Sequence, residues 1–531
     1  MAAMTSKPVL ATVATVAAGT AGLAARDLLQ RRHALKRNFP VVANARYLLE
    51  RIGPELRQYI VTSNDEERPF SRDQRAWVYA SSKMENNYVG FGTDNDVEQL
   101  EGYPIFKHRT FSDVAASTST HDADHVRLPS AKILGGPMGR RHAFRPPSVI
   151  NISAMSYGSL SGNAIHALNA GARQAGAMHC TGEGSLSPAH RQGGDLIFQI
   201  GTAYFGCRDE QGRFDMEKLK EVVASAPVRA IEIKLSQGAK PGLGGMLPAA
   251  KISEEIARTR GIPEGKDCAS PSRHSEFDDV DSMLDFVESI AAETGLPVGI
   301  KSAVGDMNFW EDLVEAMRDG QRGVDFITID GGEGGTGAAP LVFSDAVALP
   351  FRIAFTRVYS LFAAAGMTDR VTFVGSGKLG LPENALVAFA LGVDMVHVAR
   401  EAMLSIGCIH AQKCHTDHCP TGVATQNAWL ERGLDPTLKA NRAANYLRTV
   451  RRDLLKVSEA CGVWHPGLLT VDDVEILLGH RKATPLGEIY GYEPGWGGLG
   501  EETAREITEI MSTTAPHGDT RRAITPGAGR S

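Results

Sequence analysis

The sequence predicts an α/β protein built on a (β/α)8 barrel, with a helical lead-in before it and a helical extension after it. Three observations predict this. From residue 148 onward, short β-branched runs alternate eight times with helical stretches, the pattern of βα units around a parallel sheet. Glycine-rich segments follow several of these runs, at the strand ends where such a barrel builds its active site. An open doubly wound sheet is the alternative for repeated βα units, but the glycine fingerprint expected after its first strand is missing.

The totals agree with a large single core. The chain has 531 residues, 43% hydrophobic and 22% charged, enough for one large barrel with extensions. A formal charge of −6 gives no overall basic balance, which argues against nucleic acid as a partner. Seven cysteines, an odd number far from disulfide density, point to a reducing compartment. Of these, Cys180, Cys207, Cys268 and Cys461 read as structural.

Residues 8–25 form an 18-residue run without a charge, rich in Ala, Val and Thr. Arg26, Arg31, Arg32, Lys36 and Arg37 follow it and only Lys7 precedes it, so the positive-inside rule would leave the bulk of the protein in the cytoplasm. Residues 1–40 are therefore expected to be a membrane anchor with a basic flank; a transit peptide and a plain soluble helix are the alternatives. Residues 41–145 are the lead-in. Residues 46–59 repeat apolar positions at helical spacing, residues 90–93 break the pattern, and residues 112–127, full of Ser, Thr, Asp and His, read as a loop.

The barrel is assigned to residues 146–480, with strands at 149–154, 177–181, 196–200, 230–234, 298–302, 325–330, 371–374 and 394–398. Strand one runs into Ala154, Met155 and Ser156, a small-residue loop whose backbone can approach a planar ring. Strand two runs into Glu183, a carboxylate between Gly182 and Gly184. On strand four, Glu232 and Lys234 share one side by alternation, and a barrel interior tolerates such charges only near its ends. The loop beyond carries Gln237 and Lys240, the latter on a Gly-Pro framework suited to binding an anion. Strand five ends at Lys301. Strand six ends at Asp330, followed by Gly331 and Gly332 in a loop with five glycines in seven residues, which brings N–H groups close to a flat or anionic ligand. Gly375, Ser376 and Gly377 follow strand seven, and Ala399 and Arg400 follow strand eight, the usual phosphate-binding position of these barrels.

Within the barrel assignment, residues 407–426 hold Cys408, Cys414 and Cys419 inside twelve residues, with Pro420 directly after the last. Thiolates followed by proline suit an iron–sulfur cluster, and three of them suit a three-iron one. Zinc could use the same cysteines with His410, His415 or His418, although its ligand pairs usually sit closer together; inert buried thiols are the remaining reading. Residues 436–458 are strongly helical and Arg-rich, residues 468–478 are expected to form another helix, and 481–531 is a C-terminal extension whose tail from about residue 513 reads as disordered.

The run from Gly407-Cys408 to Cys414-His415 and on through Cys419-Pro420-Thr421-Gly422-Val423-Ala424-Thr425-Gln426 resembles the cluster loop of the FMN-binding synthase domain of glutamate synthase. The likeness covers about residues 80–480. Gly90 to Thr93 and Glu101-Gly102-Tyr103 are similar to the pre-barrel region of stand-alone relatives of that domain. The resemblance implies a (β/α)8 barrel, FMN, and a [3Fe-4S] cluster on Cys408, Cys414 and Cys419. It places Ala154, Met155, Ser156, Lys234 and Gln237 at the flavin, with Lys301 beside its N1 and O2, where a cation favours the reduced ring. Asp330, Gly331, Gly332, Gly375, Ser376, Gly377, Ala399 and Arg400 complete the expected cofactor set.

By the same resemblance Glu183, Lys240 and Arg260 meet the substrate, and Glu183, Lys240 and Lys301 carry the chemistry, the reduction of 2-iminoglutarate to L-glutamate by hydride from FMN. Two positions depart from the family: Leu243 where Glu is common, and Met246 where Gln helps to hold 2-oxoglutarate. A thioether cannot replace the donor and acceptor of an amide. Another anionic keto or amino acid, or an electron-relay role without turnover, therefore stays open. Neither the amidotransferase nor the β-helical domain of full glutamate synthases is in the sequence, so ammonia would come free or from a partner chain. With no G-x-G-x-x-G after a first strand, electrons are expected from ferredoxin or a similar protein.

Overall fold

The computed structural model describes residues 7–93, 95–97, 100–112, 114, 127–479 and 481–514. Most of the expected loop at 112–127 and of the C-terminal tail lies outside the described residues. The chain divides into two compact units, Met1–Asp73 and Gln74–Ser531.

The first unit is helical, with segments Lys7–Leu29, Ala34–Asn38 and Val42–Leu56, the last running into a wider turn at Arg57–Val61. Asp27 is buried, and its carboxylate accepts from the Val41 N–H and the Asn44 amide, which ties the first helix to the third. The anchor expected at residues 8–25 is not supported. That run is a helix, but among the described residues no helix is long and apolar enough to cross a membrane. Its uncharged residues are largely Ala, Thr and Gly, which bring too little apolar surface per turn.

In the second unit all eight expected strands form and close on themselves. We number them β1 (Ile150–Ile152), β2 (His179–Cys180), β3 (Leu196–Ile200), β4 (Val228–Lys234), β5 (Val298–Ser302), β6 (Phe326–Asp330), β7 (Thr372–Ser376) and β8 (Met395–Val398). Every neighbouring pair is parallel, and β8 pairs with β1 to complete the barrel. Buried Leu134, Met178, Cys180, Ile197, Ala230, Phe326, Val374 and Met395 fill one cluster of its core. Buried charge flanks this cluster: Lys132 pairs with Asp394 and Arg140 with Asp325 just before β8 and β6, and a second set lies at the C-terminal strand ends. There Glu232 is buried and accepts from Gln199 Nε2 and Thr328 Oγ1, both at 2.6 Å, so its desolvation is offset by hydrogen bonds.

The long helix Pro436–Ala460 starts at an Asp435 N-cap and packs against Gly162–Ala175, the helix after β1. The contact is close: a Cβ on Gly171 would lie 2.6 Å from Ala443 Cβ and 2.8 Å from the Ala440 carbonyl. The segment expected as a helix at 468–478 is instead a pair of short 3-10 turns and a strand, Val474–Leu477. This strand pairs antiparallel with Pro104–Phe106 and with Ala483–Pro485. Val474 and Ile476 are buried while Glu475 and Leu477 are partly exposed, the alternation of a half-covered strand.

Candidate active site

The C-terminal ends of the barrel strands converge on one cavity of about 1260 Å³, counting the space at its mouth. Ala154, Met155 and Ser156 line it from the loop after β1, and Glu183 from the loop after β2. Lys234, Gln237 and Lys240 come from β4 and its loop, Arg260 from the helix Glu254–Arg260, Lys301 from β5 and Asp330 from β6. Ser376, Gly377, Ala399 and Arg400 close the far side. Three expected residues are not in the wall. Gly331 is tied by its N–H to the Ser376 carbonyl, Gly332 to the Leu349 carbonyl, and a Cβ on Gly375 would meet Leu379 and Phe351. These glycines serve close packing against side chains and backbone: the loops after β4 and β6 touch so tightly that a Cβ on Gly238 would fall 2.0 Å from the Gly331 carbonyl oxygen.

Two ion pairs organise the charges. Lys234 Nζ lies 3.0 Å from Glu183 Oε1 and donates to Gln237 Oε1 at 3.2 Å. Lys301 Nζ lies 3.6 Å from Asp330 Oδ2, and that carboxylate also accepts from Ser376 Oγ and the Gly238 N–H. Burial alone would raise the pKa of Glu183, but the charge and hydrogen bond of Lys234, with Lys240 and Arg260, hold it below its ordinary value. For Lys301 burial works toward the neutral form, yet Asp330, Glu232 and Cys180 outweigh it and raise the pKa. Lys240 goes the other way, lowered by burial and by Lys234 against the pull of Glu183. The site thus holds an ionised carboxylate, a firmly cationic lysine and a lysine that parts with its proton more readily.

Arg260 is 6% exposed; one of its terminal nitrogens donates to the Tyr157 carbonyl at 2.8 Å, and its Nε has no hydrogen-bond partner among the described residues. A buried guanidinium with an open donor at a cavity wall fits an anion. Lys378, in the loop after β7, lines the cavity too, as do His397 and Glu401, which the sequence did not single out. His397 sits on β8, where alternation could have assigned it to the interior. Met246 lines the cavity and is 51% exposed.

The cysteine loop meets this site directly, because Cys414 and Ala424 are part of the cavity wall. Cys408 and Cys419 are not in the wall, but each lies close enough to Cys414 to interact with it electrostatically. Burial pushes Cys408 up to about 12, with His410 N–H opposing and Cys414 and Cys419 adding to it. Cys419 is also pushed up by burial, but the N–H groups of Ala424, Thr421 and Val423 and the Thr421 hydroxyl prevail and lower it. N–H groups converging on the thiol of a Cys-Pro pair favour its thiolate form, the form in which a cysteine binds a metal centre. The lead-in helix Arg72–Lys83 braces the loop: Tyr79 donates to the Cys408 carbonyl at 2.8 Å, and Arg75 Nη1 to His410 Nδ1 at 3.2 Å. Among the described residues no group of three or more His, Cys, Asp or Glu is placed to hold a metal ion, and this includes Cys408, Cys414 and Cys419 with the histidines around them.

Comparison with known proteins agrees with this architecture. Residues 138–464 match the conserved region in glutamate synthase. The chain belongs to the glutamate synthase family. It is 37% identical over 471 residues to the glutamate synthase large subunit-like protein YerD of Bacillus subtilis, covering 83% of this chain and 89% of that one. The archaeal-type glutamate synthase [NADPH] of Thermotoga maritima is 34% identical over 347 residues, 65% of this chain and 64% of that protein. The archaeal glutamate synthase [NADPH] of Methanocaldococcus jannaschii is 33% identical over 335 residues, 62% and 61% of the two. The match thus spans less than two thirds of these two archaeal-type glutamate synthases, and most of the length of the YerD-type, stand-alone relative.

Proposed function

We propose that this glutamate synthase relative is an oxidoreductase that binds FMN and a [3Fe-4S] cluster and reduces 2-iminoglutarate, formed from 2-oxoglutarate and ammonia, to L-glutamate. The observation that carries the reading is the meeting of Glu183, Lys240, Arg260 and Lys301 in one cavity with Cys414 in its wall. FMN, when bound, supplies the hydride, and the cluster passes on the electrons that restore it.

The residues divide the work. Ala154, Met155 and Ser156 offer backbone to the ring, Gln237 its amide, and Lys301 a fixed cation for the negative charge of the reduced cofactor. Arg400, with Ser376, Gly377 and Ala399, forms the phosphate end. Arg260 holds a substrate carboxylate, and Glu183 accepts a hydrogen bond from the protonated imine nitrogen. Lys240, whose ammonium is the more readily deprotonated, is placed to bind a second carboxylate or to move a proton. Cys408, Cys414 and Cys419 hold the cluster. Electrons come from a carrier protein such as ferredoxin, and ammonia comes free or from a partner chain.

Met246 favours a second reading, a flavin-barrel enzyme for another anionic keto or amino acid. One experiment separates the two. Protein purified without oxygen is assayed for flavin, iron and its paramagnetic signal, then photoreduced and mixed with 2-oxoglutarate and ammonium. Flavin reoxidation with glutamate formed in equal amount supports the first reading. Bound cofactors without reoxidation move the search to another substrate, and absence of both cofactors overturns the proposal.

A further inference from the structure

Lys251 ends the short 3-10 turn Ala249–Lys251, in the excursion between β4 and β5. It is 3% exposed, and its ammonium is held by two backbone carbonyls, Ser159 at 3.2 Å and Ala424 at 3.0 Å. Ser159 belongs to the loop after β1 that faces the cofactor cavity; Ala424 belongs to the cysteine loop. Among the described residues Lys251 makes no ion pair with a carboxylate. Burial lowers its pKa, and the groups that oppose this are Asp417, Cys414 and Cys419. Gln426 fastens the same junction from the other side, donating to the Gly158 carbonyl at 3.2 Å and the Leu160 carbonyl at 2.8 Å.

A cation withdrawn from water is costly unless negative charge or acceptors face it. Here those partners are two carbonyls and the cysteine loop itself. We propose that Lys251 is a positioning residue that joins the cofactor loop to the cysteine loop and raises the reduction potential of the cluster held there. The inference rests on the iron–sulfur reading above. The step concerned is the gain of one electron by the cluster from a reduced carrier, with no bond made or broken. That electron adds negative charge to a centre already carried by three thiolates, and a fixed buried cation stabilises the more negative state.

The test is an anaerobic redox titration of the holoprotein followed by electron paramagnetic resonance, on wild type, Lys251→Met, Lys251→Gln and Lys251→Arg. The neutral variants are expected to shift the one-electron equilibrium about tenfold toward the oxidised cluster, about 59 mV. Lys251→Arg, which keeps the charge, should titrate close to wild type. Should Lys251→Met fail to fold, Lys251→Gln keeps a donor toward the carbonyls without the charge and carries the comparison. Neutral variants with the wild-type midpoint overturn the role of Lys251 and leave the cluster standing. A wild-type protein without a three-iron signal overturns the iron–sulfur reading itself.

Discussion

The Lys234 ammonium and the Glu183 carboxylate face each other at 3.0 Å across the loops after β4 and β2. Both side chains are largely buried, and Lys240 and Arg260 add their fields to the same carboxylate. Glu183 is therefore held in its ionised form within a largely buried site. Glu183→Gln keeps the shape and removes the charge. Its turnover is expected to fall by roughly 10²–10⁴-fold, the range of a positioned acid–base group, with flavin content unchanged. Loss of flavin along with activity would instead give Glu183 a structural role.

Lys301 and Asp330 form the second buried pair, and removing one partner leaves the other charge uncompensated. Lys301→Met is expected to destabilise the fold by about 3–5 kcal/mol in urea unfolding. Asp330 keeps its bonds from Ser376 and Gly238, which argues for the lower end. The double variant Lys301→Met/Asp330→Asn should recover part of the loss.

Gly171 marks the closest contact between the helices Gly162–Ala175 and Pro436–Ala460. In Gly171→Ala the new methyl meets backbone as well as the Ala443 side chain, so the helices must part. The expected cost is about 1–3 kcal/mol, seen as a lower Tm with little change in cofactor content. Unchanged stability would mean that the long helix can shift without penalty.

Buried histidines set the acid limit. Burial lowers His465 and His397 to about 4 and His179 to about 3, from an ordinary 6.5. His465 has its neutral tautomer fixed, with Nε2 donating to the Pro129 carbonyl and Nδ1 accepting from the Gly467 N–H. Between pH 6.5 and 4 the unfolded chain binds protons that the folded chain refuses, so stability is full above 6.5 and declines as the pH falls. Each such histidine contributes on the order of 3 kcal/mol across that window. Urea unfolding of wild type and His465→Gln at pH 7.5 and 5 checks it: the variant should lose less on acidification.

Local pattern sufficed for the barrel because each strand is a short β-branched run set between helices, and that alternation leaves few topologies open. It also found the charged strand ends, since a lysine on a buried strand has few places to go. It failed at 468–478, where apolar residues fit a helical period but Val474–Leu477 is fixed by partners far off in sequence. It did not foresee that Gly331, Gly332 and Gly375 lie outside the cavity wall, because composition does not tell a glycine that admits a ligand from one that admits a neighbouring segment. Lys251 escaped attention for a related reason: its significance lies in Ser159 and Ala424, and neither is its neighbour in the chain.

The small sheet outside the barrel has a bearing on how the chain is made. Pro104–Phe106 is hydrogen-bonded to Val474–Leu477, about 370 residues later. At about 5–20 residues per second, a ribosome needs roughly 20–70 s to deliver that partner. Until then the earlier strand waits with an open edge while the barrel emerges behind it. Completion of this sheet is therefore a late event in biosynthesis, and truncation before residue 474 would leave a nascent chain with its barrel strands made and a sticky strand uncovered.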